Sequence, residues 1–252
     1  MCWFDTHCHL DMGPLQAQAG QAMSRAREAG VETVLAVAYD AASLIKVPAL
    51  QALPGVAIAL GQHPWVASEP LDRDTLAGLI QQHGAVAVGE IGLDFKYGDA
   101  PNRERQLAQF TMQLELAVDL DLPICLHMRG AVDECLATVA RFTPRLRGVV
   151  HAFSRGQAVA ERFVALGLHL GFGGAVTMDN AKSAHAAARW VPPDRLVLET
   201  DAPAIAVGGI PAEAVEPKHV VEVGHALAKL RGVAPEEIAA RTTHNARQLF
   251  FP

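Results

Sequence analysis

The sequence predicts an α/β fold, a (β/α)8 TIM barrel built as a single domain over residues 1–252. Three observations carry that expectation. Short apolar runs alternate with helix-length stretches, and no linker, low-complexity segment or charge block divides them. The apolar runs are too short and too uniformly hydrophobic to be half-exposed, which suits strands buried on both faces of a parallel sheet. Hydrophobic residues are 50% of the chain and charged residues 19%, a globular composition with material for a large core. An open, doubly wound sheet is the alternative, disfavoured because no Gly-rich nucleotide-binding turn follows any strand.

Phe4 lies in the first strand, and residues 16–29 read as a helix stopped by Gly30. A strand at 31–38 (VETVLAVA) leads to a helix at 41–50, and a strand at 56–60 to a helix at 71–82 closed by His83-Gly84. The fourth strand is 85–91 (AVAVGEI). Residues 101–120 form the longest helix, with Leu107, Phe110, Leu114 and Ala117 spaced as a buried stripe. Strand and helix then alternate at 123–126, 131–140, 148–150, 157–166, 169–172 and 180–190. An eighth strand at 195–200 (RLVLET) precedes a tail that is helical from Pro217.

Catalytic groups in parallel barrels sit at the C-terminal ends of the strands. The first strand ends in His7 and His9, whose spacing of two puts both imidazoles on one face and turns Cys8 away. His63 follows the third strand and Glu90 ends the fourth. His127, with Arg129 two residues on, ends the fifth. His151 ends the sixth and Asp201 the eighth. One such residue is most simply a hydrogen-bonded structural group. A set of six at one rim (His7, His9, Glu90, His127, His151 and Asp201) points to a metal site. Four imidazoles and two carboxylates exceed the ligands of one tetrahedral ion, so two divalent ions are expected, with Glu90 able to bridge them. Asp201 is the expected proton acceptor from an attacking water, which makes Asp201 and Glu90 the catalytic pair. The mixed nitrogen and oxygen donors suit zinc, manganese or iron, with magnesium less suited to four imidazoles.

The net charge of −6 argues against a broad basic surface gripping duplex DNA, though not against a local phosphate site. Cys2, Cys8, Cys125 and Cys135 show no CxxC spacing and read as reduced, buried thiols of a cytoplasmic protein. No secretory leader precedes residue 4, and no apolar run approaches the roughly 20 residues that span a bilayer. A monomer is expected. His83, His169, His185, His219, His225 and His244 read as surface or capping residues, and Gln106 and Gln113 as packing groups. Trp65 reads as a plug at the barrel mouth rather than a base-stacking surface.

Seven motifs together resemble the TatD family of metal-dependent deoxyribonucleases over essentially the whole chain. They are FDTHCHLD at 4–11, GQHPW at 61–65, GEIGLDF at 89–95, LPICLHMR at 122–129, VVHAFS at 149–154, GFGG at 171–174 and LETDAP at 198–203. The resemblance implies phosphodiester hydrolysis, with 3′–5′ exonuclease action on DNA ends. It implies that His7, His9 and Asp201 hold one metal and His127 and His151 the other, with Glu90 shared. It places His63 as a substrate contact, and Glu199 and Asp94 behind the ligands as groups that fix their orientation. Arg129 is expected to contact phosphate rather than form a structural ion pair. Arg155 stands where the family often has glycine, and phosphate contact and plain solvation remain equal readings. The competing reading is a hydrolase of a small-molecule phosphoester, lactone or cyclic amide on the same barrel. Such relatives commonly bridge their metals with a carboxylated lysine on strand four, where this chain has Glu90.

Overall fold

The computed structural model describes residues 1–98 and 100–252. Eight strands lie in one sheet in chain order: β1 (Trp3–Cys8), β2 (Val31–Val37), β3 (Val56–Leu60), β4 (Ala87–Asp94), β5 (Ile124–Arg129), β6 (Gly148–Val150), β7 (His169–Phe172) and β8 (Leu196–Leu198). Every neighbouring pair is parallel. The sheet closes between β1 and the segment after β8 through Asp201 N–H to the His7 carbonyl (2.9 Å) and His9 N–H to the Ala202 carbonyl (2.8 Å). The predicted barrel is therefore the observed one.

The helices are α1 (Gly13–Glu28), α2 (Ala41–Lys46), α3 (Arg73–His83), α4 (Ala100–Asp119), α5 (Val132–Ala140), α6 (Gln157–Ala165), α7 (Lys182–Trp190), α8 (Val220–Arg231) and α9 (Pro235–Phe250). The helix expected over 41–50 is two pieces, because Pro48 lacks an N–H and the chain passes into a 3-10 helix at Val47–Ala52. The strand expected over 195–200 is shorter, because Arg195 closes a 3-10 turn at Pro193–Arg195. Leu107 corrects the expected stripe on α4: it is 39% exposed, while Gln106, Phe110, Gln113, Leu114 and Ala117 are buried. The inward face is thus centred about one residue from where apolar spacing put it, and it carries two glutamines.

Two apolar layers hold the barrel. The larger lies between strands and helices, with residues such as Val34, Ala36, Ile58 and Leu126. The smaller fills the lumen, where Phe4, Leu35, Val37, Ala59, Val149 and Val197 meet Ala246, Leu249 and Phe250 of α9. Helix α9 therefore stoppers the N-terminal mouth and leaves the C-terminal mouth open to solvent. Among the described residues no helix is long and apolar enough to cross a membrane.

Candidate metal centre

β1 does not alternate uniformly. Its register on β2 slips between Trp3 and Phe4 and again between Asp5 and Cys8, so Phe4 joins the lumen while Cys8 packs in the outer layer. Past the slip, His7 and His9 project together as expected, with ring centroids 5.1 Å apart. The Asp5 carboxylate locks this arrangement across the seam, accepting from Thr200 N–H (2.9 Å), Thr200 Oγ1 (2.6 Å) and His7 N–H (3.3 Å). Asp201 turns back over the rim in the left-handed region, φ 53°, which aspartate tolerates better than most residues.

All six predicted ligands converge. Glu90 stands between two groups. Its Oε2 faces His7 Nε2 (3.4 Å) and His9 Nε2 (3.5 Å), and both imidazoles also face Asp201 Oδ1, at 3.9 and 3.4 Å. Its Oε1 faces His151 Nε2 (2.7 Å), His127 Nδ1 (2.8 Å) and His63 Nε2 (3.4 Å). Three ligand clusters result: His7, His9 and Asp201; His7, Glu90 and His151; His63, Glu90 and His127.

The donor set fits divalent cations. Two ligands about 2.1 Å from a tetrahedral ion stand roughly 3.4 Å apart; Asp201 Oδ1 stands 3.4 Å from His9 Nε2 and 3.9 Å from His7 Nε2. His7 Nε2 and Asp201 Oδ1 are buried there without a hydrogen-bond partner, a cost that a cation between them would remove. The other side is drawn tighter: His127 Nδ1 and His151 Nε2 lie 3.2 Å apart, two lone-pair nitrogens that need a proton or a cation between them.

Behind the ligands, neighbouring groups face the far nitrogens of several rings, and for His9 and His63 they select the tautomer. The Val37 carbonyl sits 3.1 Å from His9 Nδ1 and can only accept, so Nδ1 carries the proton and Nε2 offers its lone pair inward. Asp94 Oδ2 faces His127 Nε2 at 3.5 Å, on the side of the ring away from the Nδ1 that faces Glu90. Glu199 Oε1 is 3.9 Å from His151 Nδ1 and accepts from the Ala152 N–H. Room for Glu199 depends on Gly171, where a Cβ would come within 2.3 Å of Oε2. Asp94 and Glu199 thus stand behind ligands, as expected. His63 is wired the opposite way: its Nδ1 accepts the Trp65 N–H at 3.1 Å, so in the neutral ring Nε2 carries a hydrogen. That makes His63 a hydrogen-bond donor at the centre rather than a third nitrogen ligand.

Electrostatics follow from burial and crowding. Burial opposes charge on Glu90, yet His151, His63 and His127 outweigh it and hold the carboxyl well below its usual range. Burial also opposes charge on Asp201, which His9, His7 and His151 overcome. On His151 burial favours the neutral ring, but Glu90, Glu199 and Asp201 push it up to about 9. For Glu199 burial wins and, with Asp201 adding to it against the pull of His151, raises the carboxyl to about 8. The carboxylates are charged and poised for cations, while Glu199 keeps its proton at neutral pH.

The centre floors a cavity of about 510 Å³ whose walls include Met12, Tyr39, Trp65, Arg129, Arg155 and Ile205. Arg155 is exposed at its edge. Arg129 lines the cavity and pairs with Asp94 Oδ2 at 3.6 Å, so it makes the ion pair that the sequence ranks second to a phosphate contact. Trp65 is not a plug: it is 44% exposed and stands on the lip. Tyr39, edge-on to His9 at 5.4 Å, had no signal in the sequence, because β2 ends in no ligand-type residue. Asp5 was visible in the first motif but is structural, and Gln113 is a clamp on Gln62 through both its backbone N–H (2.7 Å) and carbonyl (3.0 Å). Of the histidines set aside as surface or capping groups, His219 does cap, accepting the Glu216 N–H at 2.9 Å. His225 instead packs edge-on against Trp3 at 6.1 Å.

The family model described as "TatD related DNase" matches residues 4–251. The uncharacterized metal-dependent hydrolase YjjV of Escherichia coli K12 is 36% identical over 99% of this chain and 98% of its own. The 3′-5′ ssDNA/RNA exonuclease TatD of Erwinia billingiae is 33% identical over 98% of each chain. The crystal structure of YjjV superposes with a TM-score of 0.90, covering 98% of this chain and 97% of that one. A TatD-family hydrolase from Entamoeba histolytica, at 18% identity and a TM-score of 0.86 over 100% and 99% of the chains, shares the fold.

Proposed function

The chain belongs to the TatD family of metal-dependent hydrolases, and from that premise we propose that it hydrolyses phosphodiester bonds at DNA ends, as a 3′–5′ exonuclease with two divalent ions. The observation that carries this reading is Glu90, whose two oxygens face two separate groups of ligand atoms across one carboxylate. His7, His9 and Asp201 would hold one ion, His127 and His151 the other, with Glu90 common to both. Bound ions would supply Lewis-acid polarisation of the phosphoryl group and a water acidic enough to attack near neutral pH.

The remaining roles belong to the chain's own groups. Asp201, ionised and on the rim, is placed to accept the proton from the attacking water. His63 directs an Nε2–H at the space beside Glu90, where a phosphoryl oxygen would receive it. Arg129 and Arg155 on the cavity wall suit the flanking phosphates. Asp94 and Glu199 keep the His127 and His151 rings turned to the centre. Glu90 in the place of a bridging lysine supports this reading over a lactone or cyclic-amide hydrolase.

The test is a nuclease assay on strands with defined 3′ and 5′ ends in Mg²⁺, Mn²⁺ or Zn²⁺. Nucleotide release from 3′ ends, abolished by chelator, is expected. A fully metal-loaded enzyme that hydrolyses a lactone or small phosphoester and no nucleic acid would overturn the reading.

A further inference from the structure

We propose that Trp65 and Tyr97 form a stacking subsite for one unpaired nucleobase of the substrate strand, at the lip of the metal cavity. The inference rests on the phosphodiesterase reading and adds where the strand is held. Among the described residues the exposed aromatic side chains are Trp65 (44%), Tyr97 (47%) and Phe251 (46%). Two of these three stand together, with ring centroids 5.8 Å apart and planes 36° apart. The third lies at the opposite end of the barrel beside Phe4.

The pair is built rather than left over. The Trp65 indole N–H donates inward to Asp94 Oδ2 at 2.7 Å, which leaves the ring no unmet polar atom and presents π surface outward. The loop carrying Trp65 is fixed by the Gln113 clamp on Gln62. The loop carrying Tyr97 is fixed by Gln106, which accepts from Asp94 N–H (2.8 Å) and donates to the carbonyls of Asp94 (3.1 Å) and Tyr97 (3.2 Å). Both clamps are fully buried on α4, two helical turns apart. Helix α4 thus fixes the two loops that carry the exposed rings, and of these Trp65 lines the metal cavity with Tyr97 packed beside it.

Their place identifies the ligand. The Trp65 ring is 4.5 Å from the His63 ring, whose Nε2 lies 3.4 Å from Glu90. The exposed Arg129 guanidinium is beside them, paired with the same Asp94 oxygen. A flat group one sugar away from a phosphate on the metal floor would meet these rings. In a nucleic acid that group is the base, and aromatic stacking holds any base. A paired base inside a duplex has both faces covered, so the subsite selects single strands or frayed ends.

The experiment compares a short oligothymidylate with a strand of equal length that lacks bases at its terminal positions, using the Zn²⁺-loaded full chain. Tryptophan emission is followed by stopped flow before turnover, and KM and kcat afterwards. The base-bearing strand should quench emission and the abasic strand should not, with KM for the abasic strand higher by about tenfold or more. Trp65→Leu should lose the quench. Tyr97→Leu, which leaves the Trp65–Asp94 bond in place, should narrow the difference between the strands, more through KM than through kcat. Equal quench and equal KM for the two strands, or unchanged discrimination in both variants, overturns the subsite. Cleavage without base discrimination removes the subsite and keeps the phosphodiesterase reading; quench without cleavage of either strand keeps the subsite and removes that reading.

Discussion

The two mouths of this barrel treat polar groups in opposite ways. At the N-terminal mouth most polar side chains end on carbonyls: Asn245 Nδ2 on Pro193 (2.7 Å) and Leu196 (2.8 Å), Thr243 Oγ1 on Cys2 (2.9 Å), Arg147 on Leu249 (3.1 Å), Arg195 on Gly167 (3.1 Å), while His169 Nδ1 is buried without a partner. At the C-terminal mouth buried polar atoms of His7, Asp11, His127, His151, Glu199 and Asp201 have no hydrogen-bond partner. Unmet buried polar atoms cost stability, and the fold gathers at one end what is sparse at the other. The difference separates residues that hold the barrel from the clustered side chains of the proposed metal centre.

Substitutions at the two ends should therefore part activity from stability. The largest expected effect is at the open mouth: Asp201→Asn or Glu90→Gln should cut hydrolysis by about a thousandfold or more, with circular dichroism and melting of the metal-free protein little changed. At the stoppered mouth Phe250→Ala should cost about 3–5 kcal/mol in urea unfolding, with kcat per folded molecule unchanged. A kcat that falls with Phe250→Ala would break the division. Asp94→Asn tests the boundary: by loosening His127 it should lower metal affinity about 10–100-fold, read by competition with a chelating dye. Arg129→Ala should raise KM several-fold, by about the worth of one exposed phosphate contact; an unchanged KM would leave it only its ion pair with Asp94.

The smallest effect concerns pH at the stoppered end. Burial, with Arg195 adding to it, pushes His169 from its ordinary 6.5 down to about 4. Between those values the unfolded chain binds the extra proton. The contribution of His169 is therefore whole above about pH 6.5 and fades as pH falls toward 4. Melting temperature should drop over that window, and less so in His169→Gln.

The cluster at the open mouth could be read from the chain because each of its six residues is a chemically distinctive one at the end of an apolar run. The barrel was legible for the same reason, since eight buried strands leave few other arrangements. What resisted reading was carried by residues without such a mark. Gln106 and Gln113 matter because their amides match a backbone N–H and carbonyl together, and nothing in local spacing announces such a partner. Leu107 misled because apolar periodicity alone cannot see that the inward face of α4 also holds amides. Tyr39 and the lip position of Trp65 depend on loop paths, which short-range pattern does not specify.

Where β8 meets β1 the cylinder lacks an ordinary strand ladder; a few main-chain bonds and the Asp5–Thr200 pair hold the edges together. His7, His9 and Asp201 straddle that join. A cation gripped by all three would work as a clasp, tying the first strand to the last. Amide exchange at His9 and Asp201 should then slow on loading and quicken on stripping, so that occupancy is sensed as breathing of the whole staved wall.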